Sequence, residues 1–208
     1  MNHIEILIDR YPALAVCREQ IENMVFSLVE MQKNGGTLIL CGNGGSAADC
    51  EHISGELLKG FLLKRPLSDT EKCGISSDIA DKLQGGIKAI PLTSLSALGT
   101  AFSNDVDADL VYAQLVSVFG GKNDVFLGIS TSGNAKNVCA AAEVARARGL
   151  KVFGLTGVGG GRLAKICDCS IKVPEYETFK IQELHLPVYH AICAQVEEIV
   201  FGGRLNVY

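Results

Sequence analysis

The chain has 208 residues, a formal charge of −4, 48% hydrophobic and 20% charged residues, 23 glycines and no tryptophan. This length and composition describe one soluble globular domain with a core of its own, and they exclude a disordered chain or one needing disulfides to fold. The mild acidity excludes broad nucleic-acid binding, which calls for a basic face.

The first residues, MNHIEILIDRYP, have no basic start, apolar run and small-residue cleavage site. No secretory signal is expected there, and no stretch reaches the ~20 apolar residues of a membrane span. Leu14, Cys17, Ile21, Met24, Val25, Leu28 and Met31 recur at steps of three and four, which predicts an amphipathic helix over 13–33. Asn34-Gly35-Gly36 stops it, and the wholly apolar Thr37–Cys41 reads as a strand covered on both faces. The loop GNGGSAAD leads into a helix over about 47–62. Ile87–Leu92 is a second strand, with Pro91 near its end or at a sheet edge. Helices follow near 94–103 and 106–119. Asp124–Ile129 is a third strand, then STSGN and a helix to Arg148, closed by Gly149. Lys151–Thr156 is a fourth, then GVGGGR and a short helix; Ser170–Val173 is a fifth; a long helix runs over about 180–201. Residues 63–86 break the rhythm and read as an insertion ending in a short helical pattern. The whole, 1–208, reads as a single α/β domain: a five-stranded parallel sheet with helices on both faces.

Ligands in such sheets bind beyond the carboxyl ends of the strands. Two loops there share a chemistry: Gly42-Asn43-Gly44-Gly45-Ser46 and Ser130-Thr131-Ser132-Gly133-Asn134, each opening into a helix. Bare backbone and free N–H groups at a helix start suit an anion, and the hydroxyls add donors. Neither loop carries a Walker pattern or a dinucleotide fingerprint, so the ligand inferred is a small phosphorylated molecule. A turn plus an N-cap is the plainer alternative. GVGGGR reads as a turn.

His52 and Glu56 lie at i, i+4 on the helix that leaves the first loop, hence on one face. The last helix offers Gln182, Glu183, His185 and His190; Gln182 and His190 are about 80° apart at 100° per residue. His185 sits on another face and packs or reaches solvent. Donors such as His52, Glu56, Gln182 and His190 suit zinc or a similar ion; the Glu and His equally suit a proton-shuttling pair. The eight cysteines read as buried thiols of a reducing compartment, with Cys167 and Cys169 on one face of a strand.

The segments CGNGGSAADCEHISGEL, SND, LGISTSGNAKNV and IQELHLPVYH, in this order, resemble the phosphoheptose isomerase family of sugar isomerase (SIS) domains over about residues 10–203. The resemblance implies a cytoplasmic homotetramer of three-layer α/β/α sandwiches with long N- and C-terminal helices. It implies conversion of sedoheptulose 7-phosphate to D-glycero-D-manno-heptose 7-phosphate through an enediol. Asn43, Gly44, Gly45, Ser46, Asn104, Asp105 and Gln182 match substrate-binding positions, as do Ser130, Thr131 and Ser132 of the phosphate loop. Glu56 matches the base, which also contacts substrate, and His190 the acid. His52, Glu56, Gln182 and His190 match the positions of one zinc ion (Zn2+) per subunit. Neither nucleic acid nor membrane is an expected partner. Isomerisation of another sugar phosphate, or non-catalytic binding of a phosphosugar or protein, are the alternatives. Ala135, Gly55 and Lys59-Gly60-Phe61 depart from the common family pattern of Ser, a carboxylate and Gly-Arg-Tyr.

Overall fold

A computed structural model describes residues 1–203. In chain order its elements are α1 (His3–Arg10), α2 (Arg18–Lys33), β1 (Leu38–Gly42), α3 (Gly45–Leu58), the single turns α4 (Asp69–Lys72) and α5 (Ser77–Ala80), β2 (Ala89–Pro91), α6 (Ser96–Phe102), α7 (Val111–Phe119), β3 (Val125–Ile129), α8 (Lys136–Ala147), β4 (Lys151–Gly157), α9 (Leu163–Ile166), β5 (Cys169–Val173) and α10 (Thr178–Phe201).

All strand pairs are parallel, in the order β2-β1-β3-β4-β5. Leu38 stands beside Val125 and Gly42 beside Ile129, so β1 and β3 end level. The pleat sends successive residues to opposite faces. Leu38, Leu40, Val125, Leu127 and Ile129 join a core with α1, α2, α3 and α10, whereas Ile39, Cys41 and Phe126 join one with α7, α8 and α9. Both faces are therefore covered, which is why these strands read as continuous apolar runs. The chain leaves β1 toward β2 on one side and returns to β3 on the other. The crevice between the carboxyl ends of β1 and β3 is thus the topological switch point, where α/β sheets bind ligands.

Several boundaries differ from the sequence expectation. Residues 3–10 form a helix that periodicity did not reveal: Asn2 Oδ1 accepts the N–H groups of Ile4 and Glu5, and Ile4 and Leu7 are buried. The helix expected from residue 13 starts as a 3-10 turn, Pro12–Cys17, and becomes α-helical at Arg18. α3 stops at Leu58, short of 62, because Lys59 is extended and Arg65 takes up the carbonyls of Glu56 and Leu57. β2 keeps only three residues; Pro91 closes it, and it is an edge strand. Between α6 and α7 lies a wide turn, Ser103–Asp107, then a 3-10 turn. Residues 63–86 hold two short helical turns pinned by one bridge, Pro66 to Gln84.

The eight cysteines are free thiols; Cys17, Cys41, Cys50, Cys139 and Cys193 are buried, Cys167 and Cys169 partly so, and Cys73 is exposed. Cys167 and Cys169 do not share a face. Cys167 precedes the strand and packs with the α8 side, while Cys169 packs with the α10 side.

Candidate active site

The first loop builds a bare turn beyond the carboxyl end of β1. Gly44 has φ +54°, a conformation that favours glycine, and Ser46 is buried in the first turn of α3. A Cβ on Gly45 would meet Nε2 of Gln182, the far end of a flexible side chain. Gln182 therefore lies on the opening turn of α3.

The second loop is held by its own polar atoms. Ser132 Oγ accepts the Asn134 N–H at 3.1 Å, and Thr131 O accepts the Gly157 N–H at 2.9 Å. Gly133 has φ +65°, and a Cβ on it would come within 2.1 Å of Gly160 O. GVGGGR is thus a wall packed against the STSGN loop. Ser130 is buried, Thr131 half-buried and Ser132 exposed.

Asn43 and Asn137 join the two loops across the switch point. Each Nδ2 donates to the other's Oδ1 at 2.9 Å, and Asn137 Oδ1 also accepts the Val138 N–H. Tyr112 donates to Gly42 O at 2.8 Å beside them. Asn137 and Tyr112 line a cavity of about 620 Å³ that also includes Asn104. Asn104 and Asp105 are exposed in the wide turn after α6, with Asn104 Nδ2 donating to Asp105 Oδ1 at 2.8 Å. Sequence reading missed Asn137 and Tyr112. Only the position of Asn137, one turn beyond a hydroxyl loop, signalled the first.

Further along α3, His52, Glu56 and His190 converge. His52 Nε2 lies 3.2 Å from Glu56 Oε1 and 3.3 Å from His190 Nε2. One ligand atom from each of the three falls within 4.8 Å of the others. His52 Nδ1 faces Tyr189 Oη at 3.1 Å, and Tyr189 donates to Asp49 Oδ1 at 3.3 Å. With Nδ1 facing Tyr189, Nε2 is the His52 ring nitrogen turned toward Glu56 and His190. Asp49 Oδ2 is buried without a partner, and burial raises the Asp49 carboxyl above its usual range. Burial, then the adjacent His52, pushes His190 below the usual imidazole value, with Glu56 opposing. Lys59 Nζ stands 3.7 Å from Glu56 Oε2. His190 opens onto a second cavity of about 390 Å³ between α1 and α10, lined also by Phe61, Leu62 and Glu183.

The structure thus assembles three of the four expected metal ligands at one point. The fourth, Gln182, is placed against Gly45, two turns earlier along α3 than His52. The triad suits a metal: two ligands of a tetrahedral zinc at ~2.0–2.1 Å stand about 3.3 Å apart, close to the 3.2 and 3.3 Å contacts here. His185 takes the packing alternative. It is fully buried, and neither ring nitrogen makes a hydrogen bond. Burial lowers its pKa to about 4, with the nearby Thr156 backbone opposing in part.

Under the triad, Arg65 and Glu197 form a buried pair, Nε to Oε1 at 2.6 Å. Burial raises the Glu197 carboxyl, but the N–H groups of Phe61 and Leu62 and the Arg65 guanidinium outweigh it, leaving the pKa below the usual value. Sequence reading missed both residues, since Arg65 beside Lys64 and Glu197 beside Glu198 read as ordinary surface charges.

The model of the SIS domain matches residues 13–157. The chain is 36% identical to phosphoheptose isomerase of Aneurinibacillus thermoaerophilus over 98% of its length and 94% of that protein. It is 40% identical to phosphoheptose isomerase 2 of Campylobacter jejuni over 88% of its length and 81% of that protein. Among solved structures, phosphoheptose isomerase of Neisseria gonorrhoeae superposes with a TM-score of 0.75 at 30% identity, covering 94% of this chain and 95% of that one.

Proposed function

The chain belongs to the phosphoheptose isomerase family of SIS domains, and from that premise we propose how its residues perform the family's reaction. It is an aldose–ketose isomerase that converts sedoheptulose 7-phosphate to D-glycero-D-manno-heptose 7-phosphate. We assign Glu56 as the base that moves a proton between C1 and C2, and His190 as the acid that serves the sugar oxygens. The convergence of His52, Glu56 and His190 at 3.2 and 3.3 Å carries this reading.

Abstraction of a proton α to a carbonyl needs a carboxylate close to carbon and a donor close to oxygen. Glu56 supplies the first from α3. His190 supplies the second from α10, where burial and then the adjacent His52 lower its pKa and favour the uncharged ring. The phosphate end is held by Ser130, Thr131 and Ser132, with Asn43, Gly44, Gly45 and Ser46 lining the facing loop. Asn104, Asp105 and Gln182 bind the sugar hydroxyls. Anchoring the phosphate converts a flexible chain into one whose C1 and C2 meet the acid and base. Phosphate capture through N–H groups, hydroxyls and a helix start needs no basic excess, which agrees with the −4 charge.

His52, Glu56 and His190 would hold a zinc ion, with Gln182 as a fourth donor if its amide swings from Gly45. Such an ion would stabilise negative charge on the enediolate oxygens. A single domain with 63–86 inserted is supported by the one sheet and the two cores on its faces among the described residues. The homotetramer rests on the family resemblance; exposed Phe26 of α2 and Ile199 of α10 offer apolar surface for a subunit contact. A cytoplasmic site is supported by the eight free thiols. Among the described residues no helix is long and apolar enough to cross a membrane.

The test is an isomerase assay across seven-, six- and five-carbon sugar phosphates. Highest kcat/KM on the seven-carbon ketose phosphate is expected. Preference for a shorter sugar would redirect the assignment, and no turnover of any would favour a binding protein.

A further inference from the structure

The two reacting groups come from different helices, so something must fix α3 against α10 at their level. Glu56 lies in the last turn of α3, where carbonyls have no partner within the helix. No left-handed glycine closes this end, since Lys59 is extended. Arg65 closes it instead: Nη2 donates to Glu56 O at 3.2 Å and Nη1 to Leu57 O at 2.8 Å. A cation at this helix end also complements the helix dipole. The remaining guanidinium edge, Nε, donates to Glu197 at 2.6 Å.

Glu197 follows His190 by seven residues on α10, about 20° from alignment, so the two share a face. Its carboxylate accepts the N–H of Phe61 at 2.8 Å and those of Leu62 and Leu63 at 2.7 and 3.1 Å. Phe61 in turn packs tilted against the His190 ring, with centroids 5.6 Å apart at 38°. Both members of the pair are 1% exposed. A planar fork that grips two carbonyls and one carboxylate at once is a geometry lysine cannot reproduce.

We propose that the buried Arg65–Glu197 pair is a positioning device that sets Glu56 against His190, and that its contribution is read in turnover rather than in substrate binding. The proposal rests on the assignment of Glu56 and His190 as the proton-transfer pair. Neither Arg65 nor Glu197 touches substrate; they act through the end of α3 and through Phe61.

The test replaces the pair by apolar side chains, Arg65→Met with Glu197→Leu, since buried ion pairs exchanged whole for hydrophobic residues commonly leave proteins folded. The expected result is a cooperatively melting enzyme whose kcat falls on the order of 100-fold, the scale of a misplacement of about 1 Å, while KM for sedoheptulose 7-phosphate changes less than about threefold. Arg65→Lys keeps the charge without the fork, leaves part of this buried network unpaired, and should lose about tenfold in kcat with a lowered melting temperature while still folded at the assay temperature; it decides the matter if the double variant does not fold. A folded variant with wild-type kcat, or a loss carried by KM, overturns the proposal. Glu56→Gln is measured alongside. If it turns over like wild type, the assignment beneath the proposal fails; if it is inactive while the folded pair variant is fully active, only the positioning role fails.

Discussion

His185 makes the fold acid-sensitive in a window that can be calculated. The ring is fully buried in α10, without a hydrogen bond, and its pKa is lowered to about 4. In the unfolded chain it returns to about 6.5. Below pH 6.5 the unfolded state takes up a proton that the folded state refuses, so stability falls as pH drops, until the folded ring also titrates near 4. Above 6.5 both states are neutral and His185 contributes no pH dependence. With these two values, linkage gives a loss of roughly 2 kcal/mol between pH 7 and pH 5, approaching roughly 3 kcal/mol by pH 4. Carboxylates held below their usual range, such as Glu197, lose their contribution at lower pH. Comparison with a variant isolates the histidine. Urea unfolding of wild type and His185→Leu at pH 7 and pH 5 is the assay. The stability gap should move by about 2 kcal/mol in favour of the variant on going to pH 5. Parallel pH profiles for the two proteins would refute the reasoning.

Two other outcomes follow from the site. His52→Ala should remove most bound zinc and Gln182→Ala part of it, measured by elemental analysis of protein reconstituted from the metal-free state; a fully active enzyme without metal would contradict a role for the ion. Gly133→Ala forces a side chain into φ +65° and within 2.1 Å of Gly160 O. A left-handed conformation costs roughly 1–2 kcal/mol and overpacking about 1–3 more. Chemical denaturation should therefore show a loss of about 2–5 kcal/mol, and KM should rise as the STSGN and GVGGGR loops part; an unchanged KM in the folded variant would free Ser130–Ser132 from phosphate binding.

The sheet was legible because strands covered on both faces are apolar throughout, as Leu38–Cys41 and Val125–Ile129 are. Helix i, i+4 spacing placed His52 beside Glu56 before any coordinates. It could not place His190, because contact between α3 and α10 depends on tertiary packing. Glycine at 44 and 133 read from sequence as bare backbone, and both have positive φ, whereas the closeness of Gln182 to glycine 45 has no local trace. α1 escaped notice because eight residues with two buried positions give too short a period. The overrun of α3 to 62 has tertiary causes: its last carbonyls are taken by Arg65 and by the Ile87 N–H, and no glycine or proline marks the stop at Lys59.

The central claim is that Glu56 moves the proton. It is tested most directly by steady-state conversion of sedoheptulose 7-phosphate by wild type and Glu56→Gln, with circular dichroism confirming that both are folded. Loss of general-base catalysis should lower kcat by about 10²–10⁴-fold with the fold intact. A folded Glu56→Gln enzyme turning over at the wild-type rate would contradict it.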